Sequence, residues 1–216
     1  MGINIWVGTL SLEQASMDAD QREQNQRFQD QFALINQVLR AAGLPEHHEP
    51  RFGDPSAIFS RSFKSALLPF CDFVEKAENT LGLEFPHARI SGFALAHQLV
   101  VYLPVIFEQV FFPAPEGTCE VVALGSAYAL CRECRLLARI LDIYSDIEPD
   151  LAAERDPVRD HLQAKSGVEQ QEFMHAWSLL RLDHQDDTWP PEADGCWKLY
   201  EAAKMSVMHG AAVCMT

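Results

Sequence analysis

Between Ile90 and Phe112 the chain carries one carboxylate, Glu108, and no lysine or arginine. A stretch this apolar has to be enclosed by the rest of the molecule or by a bilayer. Its His97, Gln98, Pro104, Glu108 and Gln109 would be costly in hydrocarbon, so the block reads as protein core rather than a membrane span. Its valines and aromatics, with Pro104 in the middle, predict one or two buried strands, and a helix from Phe93 to Tyr102 is the alternative.

The flanks supply what could enclose it. With 216 residues, 48% hydrophobic and 22% charged, the chain can bury about 70% of its unfolded surface and is far from a disordered composition. Ile3 to Val7 alternates as a strand. Asp18 and Asp20 open a long helix whose apolar stripe is Phe28, Phe32, Ile35, Leu39 and Ala42, ending at Gly43-Leu44-Pro45. Pro45 to Arg61 reads as a long loop in which His47-His48-Glu49 is solvated, and a second helix is expected from about Pro69 to Gly82.

Ser126 can cap a further helix striped by Tyr128, Cys131, Cys134, Leu137, Ala138 and Leu141. Ser166 and Glu169 have capping-box spacing, ahead of an apolar face of Phe173, Ala176, Trp177 and Leu180. Asp194 is placed as the cap of a last helix ending at Gly210, before a strand from Ala211 to Met215. The expected fold is α+β, a predominantly helical single domain spanning 1–216, with a small sheet that includes the N-terminal and C-terminal strands.

The formal net charge is −14, and it is unevenly distributed. From Asp142 to Glu201 fifteen acidic residues face five basic ones, so that stretch alone carries −10. Such a surface repels nucleic-acid backbones and anionic membranes and speeds encounter with basic partners, although it also serves plain solubility. The start Met1-Gly2-Ile3-Asn4-Ile5-Trp6 has no basic n-region, which points to the cytoplasm and to free thiols.

Few residues suggest chemistry. Cys131 and Cys134 have redox or zinc spacing but lie inside a helical stripe, and Cys196, His209 and Cys214 match no zinc module, so core packing is the expectation. Asp183, His184, Asp186 and Asp187, with Trp189 beside them, form the most polar loop. It reads as a solvated segment, as a partner-binding surface anchored by the tryptophan, or as a site for a hard cation. His97 and Tyr102, polar groups inside the apolar block, are candidates to line a pocket. There is no Gly-x-Ser-x-Gly elbow, phosphate-binding glycine loop or dinucleotide fingerprint, so no cofactor, metal or catalytic residue is assigned.

Met1-Gly2-Ile3-Asn4-Ile5, Pro86-His87, Tyr102-Leu103-Pro104 with Phe107, Gly125-Ser126 with Glu133, and the ending Trp197, Leu199, Ala202-Ala203, Ser206 together resemble a group of uncharacterised bacterial proteins. That group is in turn similar to small acidic proteins that include toxin-neutralising immunity proteins. The resemblance implies a non-enzymatic binding protein with a basic protein partner and transfers no catalytic residues. A small-molecule or metal-dependent enzyme, with a site near His97 and Tyr102 or at Asp183 to Asp187, is the alternative.

Overall fold

The computed structural model describes residues 3–8, 19–50, 59–113, 120–144, 166–180 and 189–216. The chain enters through strand β1 (Asn4–Val7) and helix α1 (Ala19–Ala41), then forms β2 (Phe59–Ser62), α2 (Lys64–Leu81) and the one-turn α3 (Pro86–Ile90). A 3-10 turn (Ser91–Ala96) leads into β3 (Leu99–Leu103), and β4 (Val121–Ser126) runs directly into α4 (Ala127–Ile140). Helices α5 (Gly167–Ser178) and α6 (Pro191–His209) precede β5 (Val213–Met215). The architecture is α+β, as expected.

The five strands form one mixed sheet in the order β2-β1-β5-β3-β4. The terminal strands are neighbours near its centre, with Ile5 opposite Met215 in an antiparallel ladder. β3 is antiparallel to β5 and parallel to β4, with Tyr102 opposite Gly125. Both faces are covered, so β3 and β5 are buried throughout instead of alternating with polar residues. Ile5, Val7, Val100, Tyr102 and Val213 point into a large core shared with α2, α4 and α6. Leu99, Val101, Leu103, Leu124 and Cys214 point the other way, onto Phe32, Ile35 and Leu39 of α1.

The apolar block therefore holds one strand, preceded by helical turns and followed by an irregular segment, rather than two strands in succession. His97 ends the 3-10 turn in the left-handed region, at φ 57°. Phe111 then returns to bridge Leu124 through a pair of backbone hydrogen bonds, covering the outer edge of β4. Among the described residues no helix is long and apolar enough to cross a membrane.

β4 was not expected, and β2, α2 and α6 also differ from expectation. β2 begins within the segment read as loop and ends one residue past it; its Ser60, Arg61 and Ser62 carry no apolar alternation, yet it pairs with β1 along its whole length. Helix α2 begins at Lys64 and encloses Pro69, which lacks an amide to donate to the preceding turn. α6 starts at Pro191, and Asp194 sits one turn inside it, paired with Lys198 at 2.7 Å, rather than capping it. Proline fits the first turn because its missing amide would have no partner there.

His47 is buried and Glu49 partly so, and the side chains of both, read as solvated, are only 4% exposed. Asn36 of α1 brackets the His47 backbone, accepting from its amide at 2.8 Å and donating to its carbonyl at 2.9 Å. The His47 ring packs on Phe32 and meets Glu49 Oε2 at 2.7 Å, and that oxygen also accepts from the Ala212 amide leading into β5.

Candidate functional site

α3 sets the geometry of the most polar part of the core. The first amides of a helix have no partner within it. Here the amides of His87 and Ala88 donate to the two oxygens of Glu133, on α4, at 3.2 and 2.7 Å. The His87 ring is fully buried, with Nε2 3.1 Å from the Glu108 carbonyl, which can only accept. That contact assigns the proton to Nε2 and leaves Nδ1 to accept from the Ser126 amide at 3.4 Å. Tyr102 donates its hydroxyl to the His87 carbonyl at 2.8 Å. Ser126 donates to the Val105 carbonyl at 2.7 Å and caps α4 by accepting from Ala129.

Burial dominates the electrostatics. It lowers His87 to about 4, with Arg132 adding to the effect. It raises Glu133 to about 7 despite the two amides that favour the carboxylate, and it places the Tyr102 phenol well above its usual range. Each polar group in this knot faces another group of the knot or a neighbouring backbone atom. The arrangement braces α3, β3, β4 and α4 against one another, and the His87 ring has both nitrogens engaged and none left for a substrate.

Pro86-His87, Tyr102, Phe107, Gly125-Ser126 and Glu133 are scattered in the sequence but meet here. Phe107 stacks edge-on to His87 with centroids 6.1 Å apart. Gly125 is required because a Cβ there would lie 2.6 Å from the Tyr102 ring. The apolar stripe read for α4 leaves Glu133 out, and no local pattern in the sequence signals that these residues meet.

The structure separates His97 from Tyr102. His97 is exposed at the end of the 3-10 turn, whereas Tyr102 is enclosed in the core. A groove of ≈ 640 Å³ lies nearby, between the α3 and 3-10 turns (Arg89, Ile90, Phe93) and the segment after β3 (Glu108, Val110, Phe112). Neither His97 nor Tyr102 lines it.

Asp183, His184, Asp186 and Asp187 lie outside the described residues. Trp189, at the edge of that loop, is 39% exposed and packs edge-on against Trp197 of α6 at 5.6 Å. Asp142, Glu169 and Glu172 are exposed, and Glu192, Asp194 and Glu201 are partly so. Cys131, Cys134, Cys196 and Cys214 are buried, and Cys196 donates to the Cys134 carbonyl at 3.4 Å. Cys131, Cys134 and Cys196 pack between α4, α6 and the sheet, Cys214 lies on the opposite face toward α1, and burial raises the Cys134 thiol.

These features define an α+β protein with an inward-turned polar core and an acidic C-terminal third. Residues 95–215, more than half of the chain, match the model of a family described as "Putative DNA-mimic protein". The chain belongs to that family. No curated protein and no solved structure matches it.

Proposed function

We propose that the protein acts by binding, not catalysis, and that its acidic C-terminal third takes the place of a nucleic-acid backbone on a basic, DNA-binding protein. The observation that carries this is the coincidence of the −10 stretch from Asp142 to Glu201 with the region matched by the DNA-mimic family. A DNA duplex offers one negative charge per roughly 1.7 Å of axis, and proteins that bind it carry lysine and arginine arrays that a dense carboxylate surface can engage. Steering by such a field gives fast, salt-sensitive association. Trp189, 39% exposed and close in sequence to Asp183, Asp186 and Asp187, supplies an aromatic anchor. An immunity-type role fits the same reading, with the basic partner a toxin that the protein neutralises in the cytoplasm.

The test immobilises the full chain, loads host lysate, and challenges the retained proteins with a duplex DNA of mixed sequence. Release by excess duplex, a steep fall in retention with salt, and loss of retention by the Asp183→Asn, Asp186→Asn, Asp187→Asn triple variant are expected. Retained proteins that ignore the duplex, or that bind the triple variant equally well, would defeat the reading.

A further inference from the structure

The groove beside α3 sits in an unusual surface for so acidic a chain. Phe93 and Phe112 line it edge-to-face, with ring centroids 6.0 Å apart, and are 40% and 61% exposed. Two residues before Glu108, Ile106 is 69% exposed, and Tyr128, one turn before Arg132 on α4, is 41% exposed. Large apolar side chains standing together in water mark a contact surface.

Among the described residues, the ion pairs on this surface are balanced. Arg132 forks onto Glu108 across the rim, donating from Nη1 at 3.0 Å and from Nη2 to the second oxygen, and both side chains are more than half exposed. Arg89, on the groove wall, pairs with Glu78 at 3.4 Å. These two pairs add no net charge to the described part of the face, whereas the whole chain carries −14.

That contrast selects the occupant. Two copies of a strongly acidic protein repel over most of their surfaces, and they can approach only where the surface is neutral and apolar. A two-fold contact also needs a self-complementary patch, with a projection beside a recess and charges of both signs. This face has Ile106 and Phe112 as projections, the groove as recess, and Glu108 with Arg132 as the paired charges.

We propose that this face closes a two-fold contact between two copies of the chain, with Ile106 and Phe112 of each copy entering the groove of the other. The acidic thirds are then carried in pairs on one particle.

Sedimentation velocity of the full chain across about 1 to 300 µM tests this, together with Ile106→Glu, Phe112→Glu and, as a control at an exposed apolar position on α6, Met208→Glu. All three positions are exposed, and circular dichroism confirms that each variant is folded. The wild type and Met208→Glu are expected to sediment at twice the chain mass, and the two groove-face variants to dissociate at least tenfold more readily. A wild type that stays monomeric throughout would overturn the proposal and leave the groove to a small ligand or a different protein. A dimer that Ile106→Glu and Phe112→Glu leave intact would also overturn it, by locating the contact elsewhere.

Discussion

Glu133 is buried to 7% exposure between α4 and the first turn of α3, and its carboxyl is raised from 4.5 to about 7. Because the folded value lies above the unfolded one, the contribution of this group to stability is complete below about pH 4.5 and is lost as pH rises through 7. The gap amounts to roughly 3 kcal/mol at most. His87 works in the opposite direction. Its value falls from 6.5 to about 4, so its contribution is complete above 6.5 and is lost as pH falls through 4. Between about pH 4.5 and 6.5 the two largely offset each other, and above 6.5 only Glu133 still titrates. In Glu133→Gln the amide oxygen keeps one of the two backbone bonds and the titration is removed. Urea denaturation at pH 5 and pH 7.5 should therefore show the wild type losing stability relative to Glu133→Gln on going to the higher pH. Parallel behaviour of the two proteins would mean that Glu133 does not titrate in this range.

At the scale of elements, α2 and α6 meet nearly backbone to backbone. A Cβ on Gly195 would lie 2.6 Å from Phe70 Cβ and 2.9 Å from the Ala66 carbonyl oxygen, and neither can move without shifting α2. Gly195→Ala is expected to cost about 1–3 kcal/mol by overpacking. Alanine's better helix propensity, about 1 kcal/mol, recovers only part of that. A thermal midpoint at or above the wild-type value would show that the two helices adjust freely.

Helix ends were legible in the sequence because their signals are local. Gly43, at φ 72°, closes α1 with Leu44 donating to the Leu39 carbonyl at 2.8 Å. Ser126 caps α4, the Ser166 and Glu169 box opens α5, and Gly210 at φ 67° ends α6. The start of α2 was not legible, because the helix reaches past Pro69 to Phe63, whose carbonyl accepts from Leu67 and whose side chain is fully buried. β2 and β4 were missed for opposite reasons. β2 is polar and short, while β4 is buried almost throughout and so shows no alternation before the capping serine that ends it.

At the scale of the whole molecule, the acidic third governs behaviour in salt. Self-repulsion among carboxylates opposes the compact state and is screened over about 10 Å at 0.1 M ionic strength. The melting temperature should rise as sodium chloride is increased from about 0.01 to 0.15 M. A flat or falling response would mean that ion pairs formed by the chain outweigh its repulsion. The Asp183, Asp186 and Asp187 variant used to test partner binding should retain or exceed wild-type thermal stability, since it removes like charge. Loss of binding with stability preserved assigns those carboxylates to the partner.

The sequence by itself determined the α+β class, most helix ends, the two terminal strands as members of the sheet and the location of the charge, because composition, caps and periodicity act within a few residues. The sheet order, the burial of His47 with Glu49 and the knot around His87 were decided by tertiary structure. They depend on partners far apart in the chain, 163 residues for Ala212 and Glu49 and 46 for His87 and Glu133, and no local pattern encodes such meetings. The apolar block had to be enclosed whatever the fold, but only packing left Ile106 and Phe112 outside. The core on each side of β3 is filled by helices, and the segment after the strand turns back over the edge of the sheet.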